Sequence, residues 1–120
     1  MELTPEEQVR QWFIGVLVET AGVPQHLMMS EVAFRFGSKR YRADILVYDR
    51  NAAPVCIVEC KRPGVEIDAD VVRQALRYDA VLSVRYIMLT NGKNTYIYKR
   101  DGGSFVRMDR FPTYEQMTIQ

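Results

Sequence analysis

The stretch of sequence that decides the fold is RADILVYDRNAAPVCIVECKR, residues 42–62. It predicts two β-strands, over 41–48 and 55–61, because apolar and β-branched residues dominate both ends and a polar loop with a proline separates them. The strand over 55–61 is apolar on both faces, which is typical of a central strand that is covered on both sides. The sequence therefore predicts a sheet flanked by helices.

Charged residues interrupt these apolar strands at one level. Glu59 and Lys61 are two residues apart and share a face of their strand. Antiparallel pairing would bring Asp44, early in the preceding strand, level with them. A buried charge needs compensation. Two carboxylates and the backbone carbonyl of Cys60 offer the oxygen ligands that Mg²⁺ prefers; the alternative is a structural ion pair between Asp44 and Lys61.

Residues 4–20 predict an amphipathic helix. Thr4 is a suitable N-cap and Pro5 a suitable first helical residue. Glu6 and Glu7 suit the positive end of the helix dipole, and either one is also a candidate for a third carboxylate near the metal. The apolar residues at helical spacing are Val9, Trp12, Phe13, Val16 and Leu17.

The remaining pattern predicts an α/β fold. Further strands are expected over 31–36, 86–90, 95–99 and 104–108, and a second helix over 69–82. The order is α-β-β-β-α-β-β with a small β extension, which indicates a central mixed sheet flanked by helices. The tail from Pro112 predicts no definite element. A length of 120 residues is typical of one domain, spanning 1–120.

Two i, i+4 pairs lie on the second helix. Gln74 and Tyr78 can project together toward the carboxylates, or they are an edge glutamine and a core tyrosine. Arg73 and Arg77 either contact phosphate or form a solvated face. The cations around the first predicted hairpin offer the same choice between phosphate contacts and solvated turn residues; they are Arg35, Lys39, Arg40 and Arg42.

Composition excludes several classes of protein. The net charge of +1 by itself predicts neither a nucleic acid nor a membrane as partner, and it does not exclude DNA, because a basic cleft can occur on a near-neutral chain. The polar N-terminus is unlike a signal peptide, and no apolar run approaches the roughly 20 residues of a membrane span. Cys56 and Cys60 would be about 13 Å apart along one strand, which is too far for a disulfide. We expect them to be buried apolar residues of the core. We expect a cytoplasmic protein without a membrane partner.

Together these residues resemble the PD-(D/E)xK nuclease superfamily and, within it, the N-terminal nuclease domain of type I restriction enzyme R subunits. The resemblance runs from about residue 4 to 98 through the motifs TPEEQVRQ, RADILVY, VCIVECKRPG, QALRY and LTNG. It implies a restriction-endonuclease-like αβββαβ core with a small C-terminal β extension.

The resemblance also implies roles for individual residues. Asp44 and Glu59 would be metal ligands, with Mg²⁺ as the cofactor and Mn²⁺ as a substitute, and Lys61 would be the catalytic lysine. Glu7 would be the acid of the first helix, although the register leaves Glu6 as the alternative. Further residues would position DNA: Gln74 and Tyr78 of the QxxxY motif, with Arg40, Arg42, Arg73 and Arg77 as additional candidates.

The function implied is a Mg²⁺-dependent DNA endonuclease of a restriction–modification system. The alternative is a catalytically inactive module for nucleic-acid binding or assembly on the same scaffold. Type I R subunits carry a motor after this domain, and no Walker motif is present here. The sequence therefore predicts a free-standing relative or an excised domain that acts as a homodimer or within a larger restriction complex.

Overall fold

The computed structural model describes residues 2–77 and 82–119. Within them the chain forms one six-stranded sheet with helices on both faces. The elements in chain order are α1 (Pro5–Glu19), a short 3₁₀ turn (Gln25–Leu27), β1 (Met28–Phe36), β2 (Lys39–Tyr48), β3 (Pro54–Cys60), α2 (Ala69–Leu76), β4 (Tyr86–Thr90), β5 (Thr95–Asp101), β6 (Ser104–Met108) and α3 (Tyr114–Thr118).

The sheet is mixed, as predicted. Its strands follow chain order from β1 to β6, and every neighbouring pair is antiparallel except β3 and β4. These two run parallel and are joined through α2, because a parallel pair needs a crossover connection. The predicted order of elements is confirmed, and the undecided tail contains α3. No helix in the described residues is long and apolar enough to cross a membrane.

Two hydrophobic cores lie on opposite faces of the sheet. The α1-side core contains Val9, Phe13, Leu17, Cys56, Val58, Cys60, Tyr114 and Met117, among others. The α2-side core contains Leu46, Ile57, Ala75, Ile87 and Leu89, among others. Strand β3 contributes to both, which explains its apolar residues on both faces. The two cysteines are free and buried, and burial raises the pKa of each thiol.

Helix α1 differs from the prediction at one residue. Thr4 caps it as expected, with its hydroxyl accepting a hydrogen bond from the Glu7 N–H at 3.1 Å. Trp12, however, is 49% exposed and does not belong to the buried face. The buried residues Val9, Phe13 and Leu17 recur every four positions, and Trp12 lies about 100° around the helix from its neighbour Phe13.

Helix α2 ends earlier than predicted. Asp68 caps it, accepting a hydrogen bond from the Val71 N–H at 3.0 Å, but the helix stops at Leu76. The Arg77 N–H bonds to the carbonyls of Gln74 and Ala75, which tightens the last turn. Leu82 packs against the α2-side core, but it lies in the segment that leads into β4 and is not helical. Its apolar side chain fitted the helical pattern of the sequence, although the helix ends before it.

We expect Gly92→Ala to destabilise the fold, whereas Gly64→Ala serves as its matched control. Gly92 has a φ of +87°, and a Cβ there would lie 3.3 Å from Cγ2 of Val9 in α1. The left-handed backbone alone makes the change unfavourable by about 1–2 kcal/mol. Nothing lies within 4 Å of a Cβ at Gly64, which has no positive φ. Urea unfolding of both variants measures the difference; equal stability would contradict the close packing of this turn on α1.

Candidate active site

Asp44 and Glu59 lie at the same level, at the end of the ladder between β2 and β3. The ladder pairs Ile45 with Val58, so the residues one step further, Asp44 and Glu59, come level. The backbone N–H of Cys60 donates a hydrogen bond of 2.7 Å to Oδ2 of Asp44. A carboxylate therefore accepts the hydrogen bond at the end of the ladder, and this fixes its position relative to β3.

The environment of Asp44 disfavours its charge. Burial is the main cause that raises the pKa of this carboxyl, and the negative charge of Glu6 adds to it. The hydrogen bond from Cys60 and the charges of Lys61 and Arg42 act in the opposite direction but do not cancel the increase. A cation bound beside Asp44 would offset the cost of burying this charge.

Glu59 and Lys61 form an ion pair next to it. Nζ of Lys61 lies 3.9 Å from Oε2 of Glu59, and the two side chains are 34% and 15% exposed, respectively. The salt bridge of Lys61 found in the described residues is thus with Glu59, in place of the alternative pairing with Asp44. Lys61 directly follows β3, and its N–H donates to the Thr90 carbonyl at 2.8 Å, which holds the lysine against β4.

Glu59 lies between two clefts. The α2-side cleft is lined by Tyr41, Glu59, Lys61, Val71, Gln74, Ala75, Arg77 and Leu89. The α1-side cleft is lined by Thr4, Pro5, Glu6, Glu7, Arg10, Glu31, Arg42, Asp44, Glu59 and Arg62. The residue Glu59 therefore lines both clefts, whereas Asp44 lines the α1-side cleft and Lys61 the α2-side cleft.

The two acids of α1 occupy different positions. Glu7 is held by Arg10, whose Nε donates to Oε2 at 2.9 Å and whose second nitrogen, Nη2, bonds to Oε1. This pairing is the main cause that lowers the pKa of Glu7. The negative charge of Glu6 instead contributes to the raised pKa of Asp44 and of the Cys60 thiol. Glu6 is therefore the α1 acid whose charge reaches Asp44, a distinction that the sequence left open.

Glu31, a residue that the sequence did not single out, lies opposite Asp44 in the neighbouring strand. The ladder between β1 and β2 pairs Ser30 with Ile45 and Val32 with Ala43. Glu31 has a φ of +55°, in the left-handed region that non-glycine residues seldom adopt. Its carboxylate bonds to Nη2 of Arg42 and lies 4.0 Å from Nη2 of Arg10. We call this irregular position the Glu31 kink.

The side chains of both strands change faces at the Glu31 kink. Met28 packs against the α1-side core and Val32 against the α2-side core, although residues four apart in a regular strand share a face. Ile45 and Ala43, two apart in β2, are divided between the two cores in the same way. The kink therefore turns Arg42 into the α1-side cleft and Tyr41 into the α2-side cleft.

The predicted DNA-positioning residues are distributed unevenly. Gln74 and Arg77 line the α2-side cleft with Glu59 and Lys61. Arg73 instead forms an exposed ion pair of 2.6 Å with Asp70 on the helix surface. Arg42 lines the α1-side cleft, and Arg40 is exposed further along the hairpin. Tyr78 lies outside the described residues.

The donor set suits a small hard cation. Across residues 2–77 and 82–119, no group of three or more His, Cys, Asp or Glu side chains is arranged to hold a metal ion. Asp44 and Glu59 supply two carboxylates, however, and Mg²⁺ is commonly held by one or two carboxylates with waters in its remaining positions. The half-buried, incompletely compensated charge of Asp44 fits such an ion.

Comparison with known proteins identifies the family. The chain matches the family model described as type I restriction enzyme R protein N terminus (HSDR_N) over residues 5–112. A search of curated proteins finds no match.

Two solved structures share the fold. One is a fragment of a presumed HsdR subunit of a type I restriction enzyme from Vibrio vulnificus YJ016, with a TM-score of 0.69 and 20% identity; the match covers 98% of this chain and 25% of that one. The other is a presumed nuclease of the DUF820 group from Anabaena variabilis ATCC 29413, with a TM-score of 0.58, 16% identity and coverage of 92% and 70%. The chain spans about a quarter of the length of the Vibrio fragment.

The fold and the family match identify a nuclease-like domain of the PD-(D/E)xK class. The chain belongs to the family of type I restriction enzyme R protein N termini.

We expect Asp44→Asn to raise the melting temperature at neutral pH in the absence of divalent metal. The pKa of Asp44 is higher in the folded state than in the unfolded state. Its contribution to stability is therefore fully present at a pH below the unfolded pKa and is lost as the pH rises through the folded pKa. Asparagine is neutral and its amide oxygen can still accept the Cys60 N–H. Thermal unfolding in EDTA from about pH 3 to about pH 8 should show the advantage appearing as pH rises. Asp70→Asn, at an exposed ion pair, is the control; a pH-independent difference for Asp44→Asn would contradict the prediction.

We expect Glu31→Gly to be more stable than Glu31→Ala by about 1–2 kcal/mol, because only glycine adopts a left-handed φ without strain. Both variants lose the same carboxylate and its bond to Arg42, so the comparison isolates the backbone. Urea unfolding measures the difference. If the alanine variant were equally stable, the Glu31 kink would not be a constraint on the fold.

Proposed function

We propose that this domain is a Mg²⁺-dependent DNA endonuclease that hydrolyses phosphodiester bonds. The observation that carries the proposal is the arrangement at the end of β3: Asp44 held on the Cys60 N–H at 2.7 Å, level with Glu59, whose carboxylate lies 3.9 Å from Nζ of Lys61. Membership in the R protein family and the fold shared with a presumed nuclease support it.

Asp44, Glu59 and the Cys60 carbonyl would hold the Mg²⁺ ion, with Glu6 on the α1 side as the nearest further acid. When bound, the ion supplies Lewis acidity toward the phosphate and makes a water available as a nucleophile at neutral pH.

Lys61 would act on the α2 side of the same phosphate. Its ammonium group can donate hydrogen bonds to the attacking water and stabilise negative charge as it develops on the phosphoryl oxygens. The water oxygen forms a bond to phosphorus while the bond to the 3′ oxygen breaks, which leaves a 5′-phosphate. Gln74 and Arg77, on the wall of the same cleft, would position the strand that is cut.

DNA is the expected substrate, and the expected setting is a larger restriction complex in the cytoplasm. One site cuts one strand, so cleavage of a duplex would require two copies of the domain or two successive cuts. The 120 residues would act as one domain in either arrangement.

Nicking of supercoiled plasmid DNA with Mg²⁺ or Mn²⁺ tests the proposal. We expect Asp44→Ala and Lys61→Ala each to lower the cleavage rate by about 10²-fold or more, since each removes a group that stabilises the transition state. Arg73→Ala, at an exposed ion pair on α2, should cleave like the wild type. Glu6→Gln should raise the Mg²⁺ concentration needed for half-maximal cleavage more than Glu7→Gln, because Glu7 is held by Arg10.

Two results would count against the proposed function. Unchanged cleavage in both Asp44→Ala and Lys61→Ala would mean that the site lies elsewhere. DNA binding without cleavage by any form, with either metal, would instead favour an inactive nucleic-acid-binding module on the same scaffold.

A further inference from the structure

Positive charge is concentrated on the β1–β2 hairpin, which we define as residues 32–43. It contains four of the sixteen Lys and Arg residues of the chain and none of the fifteen Asp and Glu residues. The rest of the chain therefore has twelve basic and fifteen acidic residues and is slightly negative. The hairpin extends from the Glu31 kink beside Asp44, so this concentrated charge begins at the proposed active site.

The hairpin presents two different faces. Arg40 and Arg42 are two apart in β2 and share a face, and Arg35 lies directly opposite Arg40 in the ladder. This arginine face is continuous with the α1-side cleft, which Arg42 lines. On the other face, the rings of Phe34 and Tyr41 stack with their centroids 5.6 Å apart and their planes 11° from parallel.

At the tip, an exposed aromatic ring on one face lies next to opposed like charges on the other face. Phe36 is 60% exposed and lies opposite Lys39, at the end of the ladder. Arg35 and Arg40, one step away, are directly opposed, and like charges in this position destabilise a hairpin. The opposed charges destabilise the sheet, and a ring that is mostly exposed buries little apolar surface. Both suit a polyanion that also carries planar apolar groups, which describes a nucleic acid with accessible bases.

We propose that the hairpin tip binds unpaired nucleotides of the DNA substrate, with Phe36 stacking on a base and Arg35 and Arg40 contacting phosphates. The inference rests on the proposed function, since it takes DNA as the substrate, and it specifies the class: DNA in which single-stranded nucleotides adjoin a duplex. Phe36 lies opposite Lys39, and Lys39 is five residues from Asp44 in β2. The tip is therefore roughly 16 Å from Asp44 along the strand. This distance corresponds to about five nucleotides between the tip and the site, at 3.4 Å per phosphate.

Fluorescence anisotropy in EDTA tests binding without cleavage. The probes are a labelled blunt duplex and the same duplex with an unpaired arm. Phe36→Ala should weaken binding to the armed duplex about tenfold and binding to the blunt duplex less than about twofold, and Phe36→Trp should restore it. Met29→Ala, at a residue 54% exposed on the opposite end of β1, is the control and should change neither affinity.

The arginines have a separate signature. Arg35→Gln and Arg40→Gln should weaken binding to both DNAs and should each reduce the slope of log affinity against log salt by about one. The proposal fails if the wild type binds neither DNA, if Phe36→Ala weakens both DNAs equally, or if it weakens neither. It also fails if sedimentation shows a wild-type dimer that Phe36→Ala converts to a monomer, because the tip would then be a self-association surface.

The result is independent of cleavage. If the predicted pattern of binding holds in EDTA but no form of the domain cuts DNA with Mg²⁺ or Mn²⁺, then the nuclease assignment fails and the hairpin contact stands. If the domain cuts DNA but binds armed and blunt duplexes alike, only the role of the hairpin is wrong.

Discussion

The hydrogen bond from the Cys60 N–H to the Asp44 carboxylate is the interaction on which the site depends. It occurs where the β2–β3 ladder ends, so it fixes a charged group at a point where two central strands begin to separate. Strand β3 is buried on both faces and cannot shift without disturbing both cores. The carboxylate of Asp44 is therefore held by a strand that packs into both cores, and Glu59 and Lys61 extend from the end of that strand.

Strand β4 completes this support on the other side. Its parallel register with β3 places Leu89 beside Glu59, and the Lys61 N–H bonds to the Thr90 carbonyl. The neighbouring Asn91 is buried; its amide donates to the Val65 carbonyl at 2.9 Å and its oxygen accepts two N–H groups of the following turn. The loop that follows Lys61 is thereby attached to the β4–β5 turn. The strand end that carries Glu59 and Lys61 is thus connected to backbone groups on both sides.

Sequence patterns were sufficient for the elements and for the central constellation, and physical reasons explain why. The apolar character of β3 on both faces and the spacing of Glu59 and Lys61 are local properties, because strand geometry alone decides which side chains share a face. The position of Asp44 opposite them follows from one antiparallel pairing across a short loop. The restriction-endonuclease-like fold was predictable for the same reason: each strand and helix has its own local pattern.

Other features depend on tertiary packing and were not predictable. Neighbouring acids such as Glu6 and Glu7 differ only through the rotation of α1, which its buried face determines, and through the position of Arg10. The Glu31 kink reverses the faces of two strands, whereas pattern analysis assumes unbroken alternation. Trp12 and Leu82 misled the helix predictions because an apolar residue need not face the core beneath its own helix.

Three departures from the most stable arrangement are close together in this molecule. Asp44 is half-buried with a raised pKa, Glu31 has a left-handed backbone, and Arg35 opposes Arg40 in the hairpin. All three belong to β1 and β2, while β3 and β4 contribute buried residues to both cores. Two of these departures would be relieved by ligands, by a cation beside Asp44 and by phosphates beside the arginines, and the Glu31 kink directs Arg42 between them. Unfavourable features that share a common remedy are better explained by binding than by chance, because a stable core elsewhere allows the fold to retain them.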